Sequence, residues 1–124
     1  MGRQICAGHE EARLAYEEAA DVLGFDLLNL TDSQLALTRY IQPSVVTLSL
    51  AVWRSFIAAT NDPGEPGLPI SACRFAGFSL GEYSALGAAG ILDFAALLGL
   101  VRERARLMQE AAEQRPGAMY AVLG

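Results

Sequence analysis

The stretch Phe75-Ala76-Gly77-Phe78-Ser79-Leu80-Gly81-Glu82-Tyr83-Ser84-Ala85-Leu86 decides how this chain is read. An apolar run from Leu68 to Ala76 leads into Gly77-Phe78-Ser79-Leu80-Gly81, and a helix-forming run follows. That is G-x-S-x-G between a strand and a helix, the layout of a nucleophile elbow. A serine on so tight a turn projects its hydroxyl away from its neighbours. The first N–H groups of the helix then face the space where an oxyanion would form. Glycine on both sides of Ser79 keeps Cβ atoms out of the turn. The same residues carry a plainer pattern. Ser79-Leu80-Gly81-Glu82 is S-x-x-E, a helix capping box that needs no chemistry.

Helical periodicity surrounds this stretch. Residues from about Gly8 to Leu23 read as an amphipathic helix with Ala12, Leu14, Ala15, Ala19, Val22 and Leu23 on its apolar stripe, ended by Gly24. Glu10, Glu11, Glu17 and Glu18 fall on its wet side. Thr31-Asp32-Ser33-Gln34 carries capping residues and predicts a short helix to about Tyr40. Pro43 suits the first turn of a longer helix to about Thr60, apolar nearly all round. Asn61 to Gly67 is a loop by composition. A strand is expected from about Ile70 to Phe78, then helices over Leu80–Ala89 and from Phe94 to about Ala112, the last capped by Asp93. Ala118 to Leu123 reads as the start of another strand. Helices before and after a strand make an α/β layer, and one strand alone cannot make a sheet.

Composition narrows the function classes. The 124 residues suffice for one domain with a core, and 52% of them are hydrophobic, so the chain is globular. A net charge of −5, with every basic side chain an arginine and no basic run, argues against nucleic acid. No apolar segment follows Met1-Gly2-Arg3-Gln4 to suggest a signal peptide. The apolar stretch Ala85–Val101 is broken by Asp93 and short for a membrane span, so it reads as two buried helices and no membrane partner is expected. Cys6 and Cys73 are isolated thiols without metal-ligand spacing, which fits a reduced, cytoplasmic protein without a metal.

One charge is out of place. On a helical wheel Phe94, Leu97, Leu98, Leu100, Val101, Ala105, Leu107 and Met108 fill one broad arc, and Arg104 falls inside it. Arg102, Glu103, Arg106 and Glu110 lie outside. An unpaired buried guanidinium costs several kcal/mol, so Arg104 needs a partner. That partner is a carboxylate of the protein, making a structural ion pair, or a carboxylate of a ligand, unless the side chain snorkels out along the helix.

Ser79 and Arg104 together resemble the malonyl-CoA:acyl carrier protein transacylases of bacterial fatty-acid synthesis, and also the acyltransferase domains of polyketide synthases. The similar segments are Glu17–Leu27, Leu37–Ser44, Gly77–Leu86, Val101–Glu110 and Gly117–Met119. The resemblance implies an α/β fold, a helix-rich part of the α/β-hydrolase-like large subdomain with a parallel-sheet strand leading into the elbow. Residues 1–116 would belong to that subdomain and 117–124 would begin a ferredoxin-like small one. It implies Ser79 as the nucleophile, the Leu80 backbone N–H as part of the oxyanion hole and Arg104 as the holder of the malonyl carboxylate. It implies malonyl-CoA and acyl carrier protein as partners, with coenzyme A thioester as substrate and no cofactor. Phe78 stands where many members have His. The family's catalytic His lies roughly a hundred residues after the nucleophile, and the single histidine here, His9, precedes it and reads as a surface or cap residue. The chain therefore looks like a piece of a transacylase of about 300 residues, expected to lack normal turnover alone and open to a complementary chain that supplies the rest. A serine hydrolase of α/β-hydrolase or patatin type shares the elbow without needing Arg104. A non-catalytic interaction module would need only the cap.

Overall fold

The computed structural model describes residues 1–60, 74–118, 120 and 122. Its elements are α1 (Arg3–Gly8), α2 (Glu10–Leu23), a 3₁₀ turn (Leu27–Asn29), α3 (Asp32–Leu35), α4 (Thr38–Thr60), α5 (Leu80–Ala88) and α6 (Phe94–Gln114). The predicted helices are present with shifted ends. α2 starts at Glu10, after a separate short α1. Gly24 ends α2 in the left-handed region and returns its N–H to the Ala20 carbonyl at 2.8 Å. Thr31 caps α3 in a reciprocal box with Gln34. Asp93 caps α6 through the Ala96 N–H at 2.7 Å.

Two expectations change around Pro43. The short helix stops at Leu35 rather than Tyr40, and α4 begins at Thr38, five residues before the proline. Pro43 therefore sits inside α4, in its second turn, where it removes one helical N–H. The ring is buried, so packing offsets the lost bond. Starting α4 early also brings Gln42 into the helix, which matters below.

α4 is the central element. It packs against α2, α5 and α6, with α3 at its start. Its length and composition would suffice to cross a membrane. Here Val46, Leu50 and Ala51 are core residues instead. α4 and α6 run antiparallel. The Thr38 N–H donates to Gln109 Oε1 at 2.9 Å at one end of their seam, and Arg39 pairs with Glu113 at 3.0 Å. Leu97, Leu98, Val101 and Ala105 carry the seam along α6. α2 lies close because its buried face is small: Ala12, Ala15 and Ala19 are fully buried with Tyr16 and Leu23. Glu18, expected in water, pairs with Arg54 of α4 at 2.8 Å, and the Arg54 guanidinium lies 4.3 Å from the Phe94 ring centroid.

α5 differs from the expected buried helix. None of its residues is fully buried. It leans on the α4–α6 pair at Gly87, where a Cβ would come within 2.9 Å of both Leu50 Cδ1 and Leu97 Cδ2. No strand is formed among the described residues. Of the strand expected over 70–78, residues 70–73 lie outside the described residues, as does the 61–67 loop, and Arg74–Gly77 carries no regular structure. The described part of the 118–123 strand carries none either. A strand is defined by ladder bonds to a neighbour, and the described residues offer none. The described residues thus form a helix-rich arrangement.

Leu97 is fully buried where α4, α5 and α6 meet. Leu97→Ala should cost about 2–5 kcal/mol, read as a lower urea midpoint with an unchanged slope.

Candidate functional site

Ser79 stands between the irregular segment Arg74–Phe78 and α5, with φ 53° and ψ −106°. It is the one non-glycine residue with positive φ among the described residues. That backbone costs about 1–3 kcal/mol and needs support from its surroundings. Gly77 provides part of it. A Cβ there would lie 2.0 Å from both the carbonyl carbon and oxygen of Gly81, so only glycine lets the segment fold onto the first turn of α5. At Gly81 an added Cβ meets nothing within 4 Å among the described residues. The crowding expected at both glycines therefore exists at the first alone, because Gly81 is approached through its backbone. Phe75 anchors the segment by an edge-to-face contact with Trp53 of α4, centroids 5.1 Å apart.

The capping-box reading is not what forms. Ser79 is the residue before α5, but its side chain makes no capping bond, and a left-handed φ is not the β-region backbone of a capping serine. Its hydroxyl turns to α6 instead. Arg104 Nη2 donates to Ser79 Oγ at 3.0 Å. Leu80 is the first residue of α5, and no carbonyl of that helix can reach its N–H.

Arg104 also resolves. It is half-buried and makes no ion pair among the described residues, so the structural ion-pair reading fails there. Its partners are neutral. Nη1 donates to Gln42 Oε1, Nη2 to the Ser79 hydroxyl, and the guanidinium sits 5.6 Å from the Tyr83 ring centroid. Gln42 is 6% exposed, and its Nε2 donates to Met108 Sδ at 3.3 Å. The neighbouring charges satisfy themselves: Arg106 bridges Glu103 at 2.6 Å and Glu110 at 2.5 Å. Those pairs hold the Glu103 carboxyl below its usual range. The result is a guanidinium beside a serine hydroxyl, oriented by an amide and a ring, with no carboxylate on it among the described residues. Such a guanidinium can take a ligand carboxylate through parallel hydrogen bonds.

Other predicted residues lie elsewhere. His9 is exposed at the junction of α1 and α2 and makes no hydrogen bond to Ser79. It is a surface residue whose side chain does not cap α2. Phe78 is 94% exposed beside the serine. Burial, with the Asp26 charge behind it, pushes the Cys6 thiol up, away from the reactive thiolate. Cys73 lies outside the described residues. Among those residues no His, Cys, Asp and Glu cluster could hold a metal ion. An open groove of about 530 Å³ lies behind the turn, lined in part by Phe75, Gly77, Glu82, Leu86 and Ile91, and contains neither Ser79 nor Arg104.

The sequence reading missed Gln42 and Tyr83 as the residues that orient Arg104. Gln42 lay just before the helix expected from Pro43, so local pattern gave no signal that it would join the helix and meet Arg104.

No protein-family model matches the chain. The malonyl CoA-acyl carrier protein transacylase of Salmonella typhimurium is 36% identical over the whole chain, which spans 39% of that relative's length. The chain belongs to the malonyl-CoA:acyl carrier protein transacylase family and spans part of it. An acyl carrier protein S-malonyltransferase structure from Vibrio cholerae superimposes with a TM-score of 0.75 at 33% identity, over 90% of this chain and 35% of that one. A malonyl-transacylase solved in complex with its type II polyketide synthase acyl carrier protein gives 0.72 at 36% identity, over 85% of this chain and 33% of that one. Mitochondrial members from mouse and human match as well, so the family is not confined to one compartment.

Gly77→Ala should open the turn and lower stability by about 1–3 kcal/mol, with loss of the Arg104–Ser79 contact visible as a shifted Arg104 Nε–H resonance. Gln42→Leu should move the same resonance without touching Ser79, since it leaves Nη1 without its acceptor.

Proposed function

We propose that this chain carries the acyl-loading half of a malonyl transfer site. The observation behind the proposal is the 3.0 Å contact between Ser79 Oγ and a guanidinium that meets no carboxylate among the described residues. In this reading the turn around Ser79 is the family's nucleophile elbow. Arg74–Gly77 would be the end of a strand whose neighbours lie outside these 124 residues. Residues 1–116 would form part of the large subdomain and 117–124 would open the small one.

Malonyl-CoA offers a thioester carbonyl and a free carboxylate. Arg104 would exchange the Ser79 hydroxyl for that carboxylate, keeping its bond to Gln42, so the clamp is preoriented before substrate arrives. Ser79 Oγ would then attack the thioester carbon and give its proton to a base. Charge developing on the carbonyl oxygen would meet the Leu80 N–H at the start of α5. The carbon–sulfur bond breaks, coenzyme A leaves as its thiol, and malonate remains as an ester on Ser79. The pantetheine thiol of an acyl carrier protein would reverse these steps and free the serine. No metal or bound redox cofactor enters the scheme.

The base is not among the contacts of Ser79. His9 is the chain's single histidine and stands at the α1–α2 junction. A complementary chain, or the remainder of a longer one, would supply the base, in a reduced cytoplasmic setting. A serine hydrolase of the same elbow is the weaker reading, because simple ester cleavage leaves the lone charge of Arg104 without use.

Intact-protein mass after incubation with malonyl-CoA tests the proposal. The chain should gain one malonyl group slowly, Ser79→Ala should gain none, and acetyl-CoA should load poorly. Arg104→Ala should lower malonyl loading by about a hundredfold, the loss of two charge-assisted hydrogen bonds. A folded chain that gains no adduct, or that releases free acid from simple esters regardless of Arg104, would sink this assignment.

A further inference from the structure

Met108 lies one turn beyond Arg104 on α6, and it is 45% exposed. Its sulfur accepts the Gln42 Nε2 hydrogen at 3.3 Å, while the other end of that amide, Oε1, accepts from Arg104 Nη1. The amide is therefore held at both ends. A guanidinium can only donate and a thioether can only accept, so the amide has one satisfied orientation. Reversing it would set Nε2 against Nη1, donor against donor. Because Gln42 is buried, water has little room to replace either partner. The thioether thus fixes which way the amide points, and the amide fixes where Arg104 points.

Adding an oxygen to that sulfur breaks the arrangement in either of two ways. An oxygen directed at Gln42 enters the space Nε2 occupies and drives the amide along its own axis. An oxygen directed at solvent leaves a sulfur that accepts poorly, and Nε2 loses its acceptor. Either way the amide loses the contact that steadies it from behind while Oε1 accepts from Nη1.

We infer that Met108 is an oxidation site coupled to the guanidinium: conversion of its thioether to the sulfoxide loosens Arg104 from Gln42 and from Ser79. The oxidant is a peroxide. It transfers one oxygen atom to Sδ, its O–O bond breaks, the sulfur loses two electrons, and water (from hydrogen peroxide) leaves. A methionine sulfoxide reductase with a thiol reductant reverses the step, one enzyme for each sulfoxide epimer. The coupling stands on the contact chain alone, and its effect on malonyl loading rests on the function proposed above.

The test uses the full chain treated with hydrogen peroxide, with oxidation mapped by peptide mass spectrometry and Met1 and Met119 as internal references. The Gln42 side-chain amide and Arg104 Nε–H resonances are recorded before and after. Met108 is expected to gain one oxygen, both resonances to move, and sulfoxide reductase with dithiothreitol to return them. Met119→Leu should respond in the same way, whereas in Met108→Leu the two resonances should ignore peroxide. Unmoved resonances with Met108 fully oxidised would overturn the inference, and so would an unchanged response in Met108→Leu. Loading from malonyl-CoA is followed on the same samples. Oxidation of Met108 should slow it about tenfold, the worth of one weakened charge-assisted hydrogen bond. Equal loading before and after removes the link to the clamp. A reduced chain that never loads, with the resonances still coupled, removes the transacylase reading and leaves the coupling in place.

Discussion

The antiparallel seam between α4 and α6 carries the rest of the molecule. Its apolar stretch joins Val46 and Leu50 to Leu97, Leu98 and Val101, and α2 and α5 lean on the ridge it makes. Its polar end is continuous with it. Gln42 lies one turn before Val46, and Arg104 stands beside Ala105, so the guanidinium occupies a seam position where periodicity calls for an apolar side chain. Burying a lone guanidinium completely would cost several kcal/mol. Half-burial, one amide oxygen, one hydroxyl and one ring face offset part of that cost without neutralising the charge.

The turn at Ser79 is the second constraint. Its left-handed backbone is unfavourable for serine and is held by the close approach of Gly77 to Gly81 and by Phe75 against Trp53. The strain has a visible result. A capping serine would spend its oxygen on the N–H groups of its own helix. Here the oxygen faces Arg104; the Gly81 and Glu82 N–H groups are taken by the Phe78 and Ser79 carbonyls, and the Leu80 N–H has no acceptor within α5. The exposed flanks of the site fit a chain that spans 39% of its Salmonella relative's length. α5 has no fully buried residue, and the Phe78 side chain is almost wholly exposed among the described residues.

Helices and their caps were legible from local pattern, and so were the two side chains, Ser79 and Arg104, that the fold brings together. Thr31, Asp93 and Gly24 act within four residues of themselves, so their roles can be read without a fold. Arg104 stood out because a charge in an apolar arc violates a short-range period. Pro43 misled because a proline in a helix interior is tolerated when the ring has somewhere to pack, and that is a tertiary fact. The strand over 70–78 could not be judged from local residues, since a strand exists through its neighbours.

Two choices belonged to the tertiary structure alone. The first was between a capping serine and one presented to α6. Both patterns share Ser79, Leu80 and Gly81, and the outcome depends on where α6 places Arg104, 25 positions along the chain. The second was the partner of Arg104. Periodicity showed that one was needed, but Gln42 lies 62 positions away and its pattern resembles that of any polar residue on a helix. Local spacing determines which face a side chain occupies. Which group meets it there is settled by how whole helices cross, and that crossing is decided by the packing of their apolar seams.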